Sequence, residues 1–321
     1  GSPSPLPAEV SVDYSAPATT AKSMTGFLMG VTGALPNDDT IAALRPGLWR
    51  AGEEWNVAKG AGWAWEPAYE RVRRYTERFT LAISDTFRYR RPFTNWPDWE
   101  QHVRELARRH GDKKLIWEFW NEPDGGQFWK GSFDQFLETW RRGHQALREV
   151  LGPRAFLSGP SYSRYDRKLL GLFIDYCRDQ GLSLNAVTWH ELGRRGEDHV
   201  GIREHILEIR RDFLENPAYA KLGMREIHIN ECVGSGPTQY SPGDILGTLW
   251  YIEQGGADGA CKACWTGLDG AKNCWNASLD GIVNPENGRP RAAWWAYKGY
   301  ADTLSARVPS SSTDRRVVAF A

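Results

Sequence analysis

Leu115-Ile116-Trp117-Glu118-Phe119-Trp120-Asn121-Glu122-Pro123 is a short, mostly apolar run with a glutamate at its end, flanked by two long stretches of different periodicity. Before it, Asp98-Trp99-Glu100-Gln101-His102-Val103-Arg104-Glu105-Leu106 sets apolar residues at helical spacing with the charges outside, and His110-Gly111 supplies the glycine stop of a helix over 97–110. After it, Phe133, Phe136, Leu137 and Trp140 repeat that spacing, and Gly152-Pro153 ends a helix over 133–150. From residue 24 onward such apolar runs alternate with amphipathic stretches eight times, the pattern of parallel strands joined by helices. Strands are expected at 25–32, 48–52, 80–86, 115–121, 155–160, 186–190, 226–231 and 259–265, with further helices over 167–180, 199–215 and 243–255. Eight units favour a closed barrel over an open sheet, because a barrel has no edge to protect. The expected fold is α/β, a (β/α)8 TIM barrel over residues 24–305.

The ends read differently. Residues 1–23, with Pro3, Pro5, Pro7 and Pro17 among many Ser, Thr and Ala, form an irregular arm in which Val10 and Val12 contribute a short extra β-strand. Residues 306–321 form a C-terminal segment whose Arg315-Arg316-Val317-Val318-Ala319-Phe320 is strand-like. It fits either a strand beside the arm or the first strand of an accessory β domain.

Forty basic and forty acidic residues cancel in 321, which removes the global electrostatic reason for a nucleic-acid or membrane-surface partner. No run approaches the ~18 apolar residues of a membrane span. Sixteen Trp are a costly way to fill a core that Leu or Ile could fill. A large barrel absorbs some of them; others are expected to have a ligand, and an indole stacks well on the C–H face of a sugar, so a carbohydrate partner fits best. The oligomeric state leaves no mark in the sequence. Cys261, Cys264 and Cys274 lie close enough for one disulfide, and Asn276-Ala277-Ser278 is a glycosylation sequon; both lean toward a secreted or extracellular setting.

In such a barrel the chemistry lies at the C-terminal ends of the strands. Glu122 ends the fourth, and Glu231, in Ile227-His228-Ile229-Asn230-Glu231, ends the seventh. These two strands face each other across the mouth, so their end residues converge. A lone strand-end Glu more often belongs to a structural ion pair. Two converging ones suit glycosidic bond cleavage, where one carboxyl protonates the leaving oxygen and the second acts from the other side of the anomeric carbon, ~5–5.5 Å away in the retaining geometry. The acid must stay protonated, which burial and a neighbouring carboxylate favour; the nucleophile must stay ionised and needs donors.

Trp120-Asn121-Glu122-Pro123 at the fourth strand, with Glu231 ending the seventh, resembles the signature of clan A glycoside hydrolases. Trp117-Glu118-Phe119-Trp120-Asn121-Glu122-Pro123, followed by Phe128-Trp129-Lys130-Gly131 and a helix, is similar to glycoside hydrolase family 39, the β-xylosidase and α-L-iduronidase family. Gly288-Arg289-Pro290-Arg291-Ala292-Ala293-Trp294-Trp295-Ala296-Tyr297 resembles the helix that closes such barrels. The chain departs from the family at Cys232-Val233-Gly234-Ser235-Gly236, where an aromatic and Asn are common, and the large β-sandwich that often accompanies the family barrel is not within these residues.

The resemblance implies a retaining O-glycoside hydrolase acting on plant or microbial polysaccharide or its oligosaccharides, with Glu122 as acid/base and Glu231 as nucleophile. It further implies that Asn121 binds the sugar 2-hydroxyl, Arg50 supports the nucleophile, His190 lies beside it, and Trp265 forms the platform under the sugar. The residues themselves leave alternatives: Asn121 orienting Glu122 or capping the loop, Arg50 paired with Glu118, and His190 as a structural histidine. Trp129, Trp189 and Glu191 are further candidate substrate contacts, and Trp55, Trp63, Trp65 and Trp275 lie in or near mouth loops, where two or three of these Trp are expected to build subsites.

Arg88, Arg90, Arg91, Arg164, Arg167, Arg194 and Arg195 concentrate positive charge in the loops after strands three, five and six, which suits either an acidic sugar or an ordinary solvated surface. No cofactor or metal is expected: the histidines are scattered, Cys261-x-x-Cys264 lies along a strand with its members facing opposite ways, and the glycine-rich stretches form no phosphate loop. Two rival functions use the same residues. One is a non-catalytic carbohydrate-binding barrel that has lost turnover; the other is a transglycosylase that keeps water from the intermediate.

Overall fold

The computed structural model describes residues 7–29, 31, 33–53, 65–76, 78–193, 199–274 and 276–321. After a short strand β1 (Val10–Val12) come β2 (Gly26–Leu28), β3 (Leu48–Gly52), β4 (Phe79–Ser84), β5 (Leu115–Trp120), β6 (Phe156–Tyr162), β7 (Ala186–Glu191), β8 (Glu226–Cys232) and β9 (Gly259–Lys262). The last eight form one parallel sheet whose spatial order is their sequence order, with helices between, which is the expected (β/α)8 barrel.

Closure brings β9 against β2. A Cβ on Gly26 would lie 2.6 Å from Leu48 O and closer still to Ala260 O, so the seam has room only for glycine. Gly26→Ala should therefore cost about 3 kcal/mol or more, since the obstacles are backbone and cannot rotate away. Thermal unfolding would read this as a large drop in Tm.

The period of two along each strand divides the core. One parity faces the helices and builds the large core, where Trp49, Trp117, Trp140 and Trp189 are packed. The other faces the barrel axis: Leu28, Leu48, Ile116 and Cys261 form a small apolar cluster, and Arg50, Glu118, Thr188 and Asn230 form a buried polar layer. The Trp surplus is thus largely a core phenomenon. Among the described residues nine of the sixteen are buried, namely Trp49, Trp65, Trp99, Trp117, Trp120, Trp129, Trp140, Trp189 and Trp294.

The helices follow their sequence signals. Trp96–His110 ends before Gly111, and Phe133–Leu151 starts on a reciprocal capping box between Ser132 and Gln135. The expected helix over 199–215 is split into a 3-10 turn His199–Gly201, an α-helix Ile202–Ile209 and a π turn Arg210–Leu214. Among the described residues no helix is long and apolar enough to cross a membrane.

The tail departs from expectation. β1 pairs antiparallel with β10 (Ser310–Ser312), not with 315–320. The later segment is held elsewhere: Trp250 Nε1 donates to Ala319 O at 3.1 Å, Tyr251 Oη donates to Arg315 O, and the Phe320 ring packs on Tyr300 beneath the Arg307 guanidinium. Phe320 has an aromatic pocket to enter, whereas the serines lose little by lying exposed. Cys264 and Cys274 form a disulfide, and Cys261 is a buried free thiol.

Candidate active site

The polar layer at the top of the barrel is organised by Arg50, whose side chain is wholly buried. Its Nε and Nη2 donate to Glu118 Oε1 at 2.9 and 2.6 Å, Nη2 also reaches Asn121 Oδ1 at 2.7 Å and Ser161 Oγ at 3.1 Å, and Nη1 donates to Glu231 Oε1 at 3.0 Å. Arg50 thus bonds both carboxylates, Glu118 and Glu231. Burial alone would lower its pKa, but the two carboxylates outweigh burial and hold it charged. Glu118 is completed by Asn230 Nδ2 at 2.6 Å and Thr188 Oγ1 at 3.5 Å on its other oxygen. Glu118→Ala would leave a buried guanidinium half-paired, and a loss of about 3–5 kcal/mol in stability is expected. Urea unfolding with an unchanged m-value would measure it.

Glu122 and Glu231 rise out of this layer. Their side chains are 15% and 16% exposed, whereas Arg50, Glu118 and His190 are at 0%, so the two carboxylates are where the network meets solvent. Glu122 adopts φ 46° and Ser161 φ 61°, both left-handed, and Glu122 N donates to Ser161 O at 2.9 Å. Backbone strain of this kind, about 1–3 kcal/mol per residue, persists where the surroundings enforce it.

His190 lies between the carboxylates. Its Nδ1 is 2.8 Å from Glu122 Oε1 and 3.8 Å from Glu231 Oε2, so it stands nearer the first glutamate than the expected neighbour of the nucleophile would. Ser161 Oγ receives Arg50 Nη2 and, at 3.2 Å, Asn230 Nδ2. Its own proton is thereby directed to His190 Nε2 at 3.2 Å, which leaves the neutral ring's hydrogen on Nδ1, facing Glu122. One oxygen each of Glu122 and Glu231, with a His190 nitrogen, all lie within 4.8 Å of one another.

The proton distribution differs from the simplest expectation. Burial pushes the Glu122 carboxyl up, but the His190 hydrogen bond and charge, helped by Arg50, pull it below its ordinary range. Burial, joined by the charge of Glu122, pushes Glu231 up against the pull of His190 and Arg50. Burial opposes charge on His190, while Glu231 and Glu122 favour it more strongly, so its pKa is raised. The two shifts run in opposite directions, so His190 competes with Glu122 for a proton.

Of the other expected contacts, Asn121 is placed beside Glu122 with its oxygen on Arg50. Trp265 is half-buried just beyond β9, its Nε1 donating at 3.0 Å to Val233 O, two residues after Glu231. Trp129 and Trp189 are corrections. Trp129 is buried among Phe93, Trp120 and Phe136 with its Nε1 on Ser132 O. Trp189 is fully buried on the helix-facing side with its Nε1 on Glu191. Glu191 is accordingly occupied by Trp189 Nε1 at 2.7 Å and by His205 Nδ1 at 2.8 Å, and serves to lock that corner. Trp65 is also buried, donating to Glu53. Trp55, Trp63, Trp275, Arg194 and Arg195 lie outside the described residues. Among the loop arginines, Arg88 pairs with Asp98, and Arg167 with Asp212 over the Phe213 ring.

Sequence reasoning did not single out Ser161 or Thr188, which have no local signature, nor the buried Lys262 at the end of β9 and Asp280 in the loop that follows it. Lys262 Nζ donates to Asp280 O at 2.7 Å, and Asp280 Oδ2 accepts from Leu28 N at 2.6 Å, tying β9 to β2 at the mouth. Burial pulls the lysine down to about 8 and pushes the aspartate up to about 8.

Glu122, His190 and Glu231 are also the group, among the described residues, whose ligand atoms are close enough to share a metal ion. The Arg50 guanidinium already bonded to Glu231 opposes a second cation there.

Comparison with protein-family models finds no match, and neither does comparison with curated proteins. Solved structures do resemble this chain. A glucosidase from Croceicoccus marinus superposes with TM-score 0.70 at 19% identity, over 97% of this chain and 74% of that one. N2152 from Neocallimastix frontalis gives 0.72 at 20%, over 97% and 76%. A monomeric β-xylosidase from Caulobacter crescentus gives 0.62 at 14%, over 95% and 73%. At these identities the likeness is one of fold, shared with a barrel named as a glucosidase and one named as a β-xylosidase.

Proposed function

We propose that this chain is a retaining O-glycoside hydrolase, with Glu231 as nucleophile and Glu122 as acid/base. The observation that carries the reading is the separation of the two carboxylates, whose nearest oxygens lie within 4.8 Å across the barrel mouth. An inverting enzyme needs room for a water between its carboxyl groups, about 6.5–9.5 Å, and a retaining one does not. The glucosidase and β-xylosidase among the similar structures support the same class.

Roles follow from the partners. Arg50 gives Glu231 a fixed cation and a donor, which favour the ionised form once substrate is in place. Asn121 is held by Arg50 through its oxygen, which leaves its amide N–H groups to bind a sugar hydroxyl such as the 2-OH. His190 and Glu122 share the catalytic proton. Because Nε2 accepts from Ser161 and Nδ1 already carries the ring hydrogen toward Oε1, a proton added to the pair is held on the other oxygen of Glu122, which delivers it to the leaving oxygen. Trp265 stands next to the nucleophile loop as the platform for the ring.

We further read the chain as a clan A enzyme, with the motif at 117–123 favouring family 39, acting outside the cell on polysaccharide or its oligosaccharides. Incubation with 4-nitrophenyl β-xyloside, β-glucoside, α-arabinoside and β-glucuronide, followed by proton NMR of the first-formed sugar, tests the reaction. The anomer of the substrate should appear first; the opposite anomer would exclude the double displacement.

A further inference from the structure

We propose that Tyr89 is a stacking platform for a sugar ring beyond the one whose bond is cut, and that the turn carrying it is shaped to display it. This deepens the glycosidase reading and rests on it. The turn follows the C-terminal end of β4, on the face where Glu122 and Glu231 emerge.

Three consecutive residues, Arg88, Tyr89 and Arg90, have φ of 49°, 54° and 68°, and the first two have ψ of 46° and 40°. This is a turn of left-handed helix built from residues with side chains, a conformation disfavoured at every step because Cβ approaches the following carbonyl. Glycine or asparagine would fit it better, yet neither is present.

The surroundings enforce the turn through its neighbours. Thr86 N and Phe87 N donate to Ser84 Oγ at 3.2 and 2.9 Å, and the Phe87 ring packs on Trp99 and His102. Arg88 pairs with Asp98, Arg90 N donates to Thr86 O at 3.2 Å, and Arg90 O accepts from Lys130 N at 3.2 Å. That last bond joins the turn to the acid/base loop: Trp129 N donates to Gly125 O, and Gly125 N to Glu122 O, both at 3.1 Å. Amid these anchors the Tyr89 side chain is 92% exposed, the most exposed large apolar side chain among the described residues. Arg90 Nε, buried in the same turn, meets no acceptor among the described residues. An outward-facing phenol on an anchored turn suits the C–H face of a pyranose. Strain retained in this way belongs with ligand contact more than with folding.

The test compares wild type, Tyr89→Ala, Tyr89→Gly and Tyr89→Trp on 4-nitrophenyl β-xyloside and xylohexaose, with 4-nitrophenyl β-glucoside and cellohexaose as a second pair. In Ala and Gly variants, kcat/KM on the hexasaccharide should fall about tenfold through KM, and Trp should restore it, while the aryl monosaccharide rate stays unchanged. Tyr89→Gly should also raise Tm, because glycine adopts the left-handed turn freely. Unchanged hexasaccharide kinetics in all variants, or a wild type with no preference for the hexasaccharide, would overturn the platform. A lowered Tm in Tyr89→Gly would overturn the claim that the turn is strained for display. A wild type inert on all four substrates would sink the glycosidase reading itself and this inference with it.

Discussion

Glu231→Ala should lose turnover by on the order of 10⁴-fold or more, and sodium azide should restore a substantial part of it. The alanine removes the atom that attacks the anomeric carbon and leaves a small opening on that face of the sugar. Azide is of a size to enter it and carries the negative charge that Arg50 Nη1, 3.0 Å from Glu231 Oε1, is placed to attract. A single displacement by azide yields a glycosyl azide of inverted configuration. The fold should survive, because Arg50 keeps Glu118, Asn121 and Ser161 as partners. An unaltered circular dichroism spectrum with activity lost would separate a chemical effect from unfolding. Retention of a tenth of the wild-type rate would exclude Glu231 as nucleophile.

Glu122→Ala should fail in a different way. With an unactivated oligosaccharide the loss should be roughly 10²–10⁴-fold, the range for general acid–base catalysis. With 2,4-dinitrophenyl glycosides, whose leaving group needs no proton, formation of the intermediate should stay fast while its hydrolysis slows. kcat and KM then fall together, and azide, which needs no general base, gives a product of retained configuration. The pH profile should change too. In wild type, Glu231 must be ionised, and since burial raises its pKa above 4.5, activity should fall as pH drops through a value higher than that. The shared proton on Glu122 and His190 must be present, and since the carboxylates raise the imidazole above 6.5, the alkaline limb should lie above that value. Glu122→Ala should abolish the alkaline limb, and His190→Asn should move it while leaving the acid limb in place.

The barrel was legible because the strand and helix periods alternate cleanly, and Gly111 and Gly152 stop the helices near where they were expected to stop. Strand ends were less so. The eighth strand was expected to run to Trp265 but ends at Lys262, since the disulfide at Cys264 and the Lys262 contact with Asp280 pull the chain into a loop. Glu122 and Glu231 were placed at the barrel mouth from their strand-end positions, and Arg50 by the resemblance to the clan. Ser161, which orients His190, could not, because its role depends on a left-handed backbone and three partners from three other strands. The Trp platforms were overread for a related reason: Trp129 and Trp189 lie near the mouth in sequence, but strand parity and the packing of the 125–132 loop turn them into the core.

The central claim is a covalent bond to Glu231, and trapping measures it directly. Incubation with the 2,4-dinitrophenyl 2-deoxy-2-fluoro glycoside of the sugar identified by the aryl panel, followed by proteolysis and peptide mass mapping, should place one fluoroglycosyl group on Glu231 and none on Glu122. Release of dinitrophenolate without a labelled peptide, or a label on any other residue, would contradict the account.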